Sequence, residues 1–176
     1  HMSRGLGDVY KRQAVDDTLT AIDFLQARPD VNARATVLLG SSAGAMTALT
    51  VGYGLDDHGI ERPPVAAVVS NWGGFLPFPS GVEALDGAGA ATFAPPSVVA
   101  EPPVFVAHGT EDFFVPHTYG AEIGARAVAL GHPHEIVTVE GAGHGFDLFG
   151  HEASPGVSVF DAQVGWLDRT IFGGGD

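Results

Sequence analysis

The chain has 176 residues, no cysteine, eight basic against 21 acidic side chains and a formal charge of −13 at pH 7. That acidity excludes nucleic-acid binding, which needs clustered Lys and Arg to neutralise phosphates, and the missing cysteine excludes a disulfide framework or a thiol nucleophile. The length bounds the answer to one domain with a substantial core, no run approaches the roughly 18 apolar residues of a membrane span, and the compartment stays open.

In chain order, residues 1–13 read as a leader foreign to the fold. His1-Met2 has the look of a tag or cloning remnant, and Asp8-Val9-Tyr10-Lys11-Arg12-Gln13 resembles the translated adapter ends that contaminate metagenomic reading frames. Arg4, Lys11 and Arg12 account for three of the eight basic residues. Residues 14–176 are expected to form a single catalytic domain. Leu19, Ile22 and Phe24-Leu25 form a helical stripe that predicts a helix over 16–26, closed by Arg28-Pro29-Asp30. Ala35-Thr36-Val37-Leu38-Leu39 predicts the first strand. It runs directly into Gly40-Ser41-Ser42-Ala43-Gly44 and then into an apolar helix over 43–53. A strand feeding a G-x-S-x-G turn and a helix lifts one serine, Ser42, out of a sharp bend. Both glycines are expected to relieve close contact and strained backbone angles there.

A second strand is expected over 65–69. The Pro- and Gly-rich stretch from Asn71 to Pro103 is too long for a simple crossover loop. It reads either as a helix-bearing connection with core aromatics or as a lip that places Trp72, Phe75 and Phe78 against an acyl or aromatic group. The third strand, 104–107, leads into His108-Gly109-Thr110-Glu111-Asp112, and a helix follows over 117–130, ended by Gly131. The fourth strand, 136–139, leads into Glu140-Gly141-Ala142-Gly143-His144-Gly145-Phe146. Val159, Phe160, Val164, Trp166 and Leu167 mark a last helix over 157–171. Strands alternating with helices predict a mostly parallel sheet flanked by helices, an α/β fold whose ligands bind beyond the carboxyl ends of the strands.

Serine, acid and histidine thus follow one another, each at the end of its own strand. An unassisted alcohol is a poor nucleophile, so Ser42 needs a base to take its proton as it attacks an acyl carbon. Histidine as a residue type can take up and release a proton near neutrality, so His144 can accept that proton and return it to the leaving alkoxide. The acid that holds the imidazole in its tautomer is one of Glu111, Asp112 and Asp147. His108 reads as a strand-end residue, while His117, His132, His134 and His151 read as solvent-facing. His132-Pro133-His134-Glu135 could hold a metal only with a second cluster, which the sequence lacks.

The order serine, acid, histidine and the three motifs resemble the α/β-hydrolase superfamily, within it the carboxylesterase and dienelactone-hydrolase-like members. The resemblance covers the chain after residue 13. It selects Asp112, which occupies the acid position of H-G-x-x-D-x-x-V-P, and implies that the backbone N–H of Ala43 faces the oxyanion. It implies a serine esterase that acts on small-molecule esters through an acyl-enzyme and needs no cofactor or metal. Members carry several strands before the serine turn and an H-G-G-G-like loop that gives a second oxyanion donor. Here Ser42 follows a single helix, so a truncated fold lacking the early strands is expected. Loss of one donor lowers turnover about 10²–10³-fold. A catalytically silent scaffold or assembly domain is the alternative, and a prolyl-oligopeptidase-like peptidase, similar around Asp112 and His144, is a third reading. An unpaired strand edge also predicts a homodimer or higher assembly.

Overall fold

The computed structural model describes residues 6–55, 60–74 and 101–173. Helix α1 (Leu6–Gln26) leads through a short 3₁₀ turn to strand β1 (Val37–Ser41), helix α2 (Ala43–Leu49) and a π-helical turn (Thr50–Gly54). Then come β2 (Ala67–Asn71), β3 (Val104–Gly109), α3 (His117–Leu130), β4 (His134–Val139), a small hairpin of β5 (Glu152–Ser154) and β6 (Val157–Ser158), and α4 (Val159–Phe172). The main sheet has the order β1-β2-β3-β4 and is parallel throughout.

Alternation along the strands splits the core into two layers. Val68, Val104, Val106 and Leu38 pack with Val15 and Ile22 of α1, Leu49 of α2 and Ile123 and Ala127 of α3. Ala67, Val69, Phe105, Ala107 and Val137 face the other way, onto Val159 and Trp166 of α4. With helices on both faces, β2 and β3 are buried at every position, and for that reason residues 67–69 and 104–107 read as unbroken apolar runs. Leu39 on the edge strand β1 is instead 55% exposed.

The predicted helix over 117–130 coincides with α3, which ends on Gly131 in the left-handed region (φ 63°). The strands begin or end about two residues from their expected bounds. The first helix starts at Leu6 rather than at residue 16. Arg12 and Gln13 are exposed, and Val15 is the first side chain described as buried. Two apolar positions expected in the core of α1 are on its outside, Phe24 at 65% and Leu25 at 44% exposure. Val164 of α4 is likewise exposed. The β5–β6 hairpin was not expected, although Pro155-Gly156 is a turn signal and Gly156 takes φ 76°. A groove of about 450 Å³ lies between α1, β1 and α2, lined by Ala21, Leu25, Leu39 and Thr47 among others, and touches none of Ser42, Asp112 and His144.

Candidate active site

Parallel strands deliver their following loops to one end of the sheet, and the three motifs meet there. Ser42 follows β1 immediately, with φ 52° and ψ −121°, a region that non-glycine residues rarely occupy. Holding it there costs about 1–3 kcal/mol, which the surrounding turn must supply. Its N–H donates to Asn71 O of β2 at 3.0 Å, and its carbonyl accepts from Met46 N at 3.2 Å in the first turn of α2. Ser42 stands at the cap position of α2, yet its hydroxyl caps nothing. The oxygen is left for another partner.

The two motif glycines have different reasons. A Cβ on Gly40 would lie 2.2 Å from the backbone of Gly44 and 2.5 Å from Ala45 N, so the strand and helix approach too closely for any side chain. A Cβ on Gly44 would meet nothing within 4 Å. The expectation that both glycines relieve crowding is therefore corrected: Gly44 lies in α2 facing the open groove, and the strained angles belong to Ser42.

His144 Nε2 is 2.8 Å from Ser42 Oγ, and its Nδ1 is 2.7 Å from Asp112 Oδ2. A carboxylate can only accept, so Nδ1 carries the proton. Nε2 of the neutral ring is then left to accept from the serine hydroxyl. The Asp112 side chain is fully buried, and its second oxygen accepts from Phe114 N and Val115 N, both at 2.9 Å. Burial pushes the carboxyl up, but the N–H of Val115, the His144 hydrogen bond and the N–H of Phe114 outweigh it and hold the acid below the usual carboxylate value.

The acid and histidine turns are laced together. Thr110 N donates to Val139 O, Glu111 N to Ala142 O, and Gly141 N to the Thr110 hydroxyl, at 2.9–3.0 Å. Gly109 permits this contact, since a Cβ there would lie 2.2 Å from Ala142 O. Of the competing acids, Glu111 is exposed beside the turn, while Asp147 accepts from Phe149 N with its side chain and from His151 with its carbonyl.

His108, expected only to end a strand, also touches the acid. Its buried Nε2–H donates to Val115 O at 2.9 Å and lies 3.2 Å from Asp112 Oδ2, while Nδ1 has no hydrogen-bond partner. Nothing in the sequence motif distinguished this role from a packing one. Trp72, with φ 40°, is 9% exposed, and its ring lies 6.5 Å from that of His144 and 4.8 Å from that of Phe146. Phe75 and Phe78 fall outside the described residues. Phe114 was missed by the sequence reading. Its ring lies 5.5 Å from His144 on a residue 82% exposed.

His132 and His134 are spent on backbone, as His151 is, while His117 lies against the ring of His108. His132 Nε2–H donates to Pro102 O and His134 Nδ1–H to His132 O. Among the described residues no group of three or more His, Cys, Asp or Glu is placed to hold a metal ion, and no helix is long and apolar enough to cross a membrane.

No protein-family model matches the chain, and no curated protein matches it. Solved structures do. MGS-M1, an α/β hydrolase from a Medee basin deep-sea metagenome library, superimposes with a TM-score of 0.64 at 23% identity, over 89% of this chain and 64% of that one. Esterase PE8 gives 0.60 at 23% identity, over 98% of this chain and 68% of that one. Thermogutta terrifontis esterase 2, in a structure phosphorylated by paraoxon, gives 0.61 at 26% identity, over 88% and 59%. The chain has the α/β-hydrolase fold, as a four-stranded parallel sheet with flanking helices. It spans between 59% and 68% of the length of these three proteins.

Proposed function

We propose that the chain is a serine-dependent carboxylic-ester hydrolase that works through an acyl-enzyme on small esters. The observation that carries this reading is the placement of His144 between Ser42 Oγ at 2.8 Å and Asp112 Oδ2 at 2.7 Å. The esterase identity of structural neighbours such as PE8 and Thermogutta terrifontis esterase 2 supports it as well.

In this mechanism Ser42 Oγ attacks the acyl carbon as its proton passes to His144 Nε2. Asp112, already an anion, holds Nδ1–H and stabilises the imidazolium. The N–H of Ala43, next after the nucleophile, donates to the oxyanion. Collapse breaks the bond to the alcohol oxygen, which takes the proton from Nε2. Water, deprotonated by the same nitrogen, then hydrolyses the acyl-serine. Trp72 borders the imidazole from the protein side and limits the space open to substrate there.

Intact-mass labelling with a fluorophosphonate tests the assembly of the site, because this reagent needs an activated serine and asks little of substrate fit. One adduct on the parent and none on Ser42→Ala or His144→Ala is the expected result. An unlabelled parent would end the hydrolase reading and leave the chain a scaffold with a hydrolase fold. A panel of p-nitrophenyl acetate and butyrate beside a peptide p-nitroanilide then separates esterase from peptidase.

A further inference from the structure

The turn that carries the acid leaves two phenylalanines in water: Phe113 is 90% and Phe114 82% exposed. Neither position is explained by the core. The backbone of Phe114 is nevertheless fixed, since its N–H and that of Val115 both donate to Asp112 Oδ1 at 2.9 Å. The acid that orients His144 through one oxygen therefore sets the position of Phe114 through the other. The rings of Phe114 and His144 lie 5.5 Å apart at an interplanar angle of 54°.

Resting on the ester-hydrolase reading, we propose that Phe114 forms the subsite for the alcohol half of the substrate, and that this half is aromatic or otherwise bulky and apolar. The argument comes from where the proton must go. When the tetrahedral adduct collapses, the bond between the acyl carbon and the alcohol oxygen breaks, and that oxygen takes the proton from His144 Nε2. The oxygen must then lie within hydrogen-bond reach of Nε2, and the group it carries must lie against whatever flanks the imidazole on its open side. Of the two aromatic rings beside His144 among the described residues, Trp72 is buried at 9% exposure, whereas Phe114 presents an open apolar face. A chain with a formal charge of −13 and an exposed Glu111 beside the turn disfavours an anionic alcohol.

The alcohol is present only in acylation. Water replaces it before the acyl-serine is hydrolysed, so Phe114 acts on the first step and has nothing to contact in the second. This separates a substrate contact from a general disturbance of the acid turn, which would slow both.

The test compares the parent with Phe114→Ala, and with Phe113→Ala as the control on the same exposed turn, using methyl, phenyl and 2-naphthyl acetate. An aromatic contact of this kind corresponds to roughly a three- to tenfold effect. Phe114→Ala is expected to lower kcat/KM by that factor for 2-naphthyl acetate and hardly at all for methyl acetate. The deacylation rate of the pre-formed acetyl-enzyme and the butyrate-to-acetate ratio of the p-nitrophenyl esters should be unchanged. An equal fall for methyl and 2-naphthyl acetate, a slowed deacylation, or the same loss in Phe113→Ala would overturn the subsite. Fluorophosphonate labelling keeps the two readings apart. A labelled parent whose alcohol preference does not respond to Phe114→Ala removes the subsite alone, while an unlabelled parent removes the hydrolase reading and the subsite with it.

Discussion

His108 and His144 converge on a single oxygen, Asp112 Oδ2, at 3.2 and 2.7 Å. The second contact is the acid–base pair of the proposed mechanism, whereas the first comes from a buried ring whose Nε2–H also ties Val115 O into the same turn. On that mechanism His108 is expected to act as a positioning residue, through the acid it contacts. His108→Gln retains an N–H near the position of Nε2, and His108→Met removes it at similar volume. The methionine variant is expected to lose about tenfold in kcat with KM little changed, the cost of a slightly misplaced acid. The glutamine variant should keep activity within about threefold of the parent. Equal kcat losses in both would reduce His108 to packing.

Burial holds the His108 imidazole below the ordinary histidine value, and burial does the same at His132. Between those lowered values and the ordinary one of about 6.5, the unfolded chain binds more protons than the folded chain. Their contribution to stability is complete above about pH 6.5 and is lost as pH falls through the window. Asp112 adds a second loss in the same direction further down. Its carboxyl is also held low in the fold, so its contribution is present above about 3.9 and disappears as pH falls through its folded value. Thermal unfolding followed from pH 8 to pH 4 should therefore show a midpoint that declines below about pH 6.5, with a shallower decline in His108→Gln. A midpoint level from pH 7 to pH 5 would count against the buried neutral ring.

The serine turn predicts opposite outcomes for its two glycines. Gly40→Ala places a methyl 2.2 Å from the Gly44 backbone and should destabilise the chain by several kcal/mol or prevent its folding. Gly44→Ala meets open space inside a helix and should raise stability by about 0.5–1 kcal/mol. Denaturant midpoints of the two variants decide it, and a Gly44→Ala variant as damaged as Gly40→Ala would contradict the geometry.

Strand β1 pairs only with β2 among the described residues, and Leu39 on it is exposed. An open edge is a template for another strand. The expected assembly is a homodimer in which a second copy extends the sheet along β1. Size-exclusion chromatography with light scattering at micromolar concentration reads the mass directly, and a clean monomer would reject the dimer.

The parts legible in the sequence were those where one physical demand dominates. β2 and β3 are buried on both faces, so their apolar runs had one reading, and α3 ended where Gly131 supplied a left-handed residue. The placement of Ser42, Asp112 and His144 at one end of the sheet follows from the parallel order, which alternating elements imply. Less legible was anything decided by neighbours distant in sequence. Phe24 and Leu25 fit a helical stripe, but Val15, Leu19 and Ile22 make the contact of α1 with the core and the other two stay outside. The contact of His108 with Asp112 and the exposure of Phe114 depend on how one turn folds over the strand end, and composition carries no record of it.

The lacing of the acid and histidine turns has a mechanical consequence. Residues 109–144 hold Asp112 and His144 with their own cross-links, while Ser42 arrives on a separate segment secured through β2. In the proposed mechanism the cross-linked acid and histidine turns meet the serine turn at the 2.8 Å contact between Nε2 and Oγ. A shift in the register of β1 against β2 would be expected to part that contact while His144 and Asp112, 2.7 Å apart, stay paired.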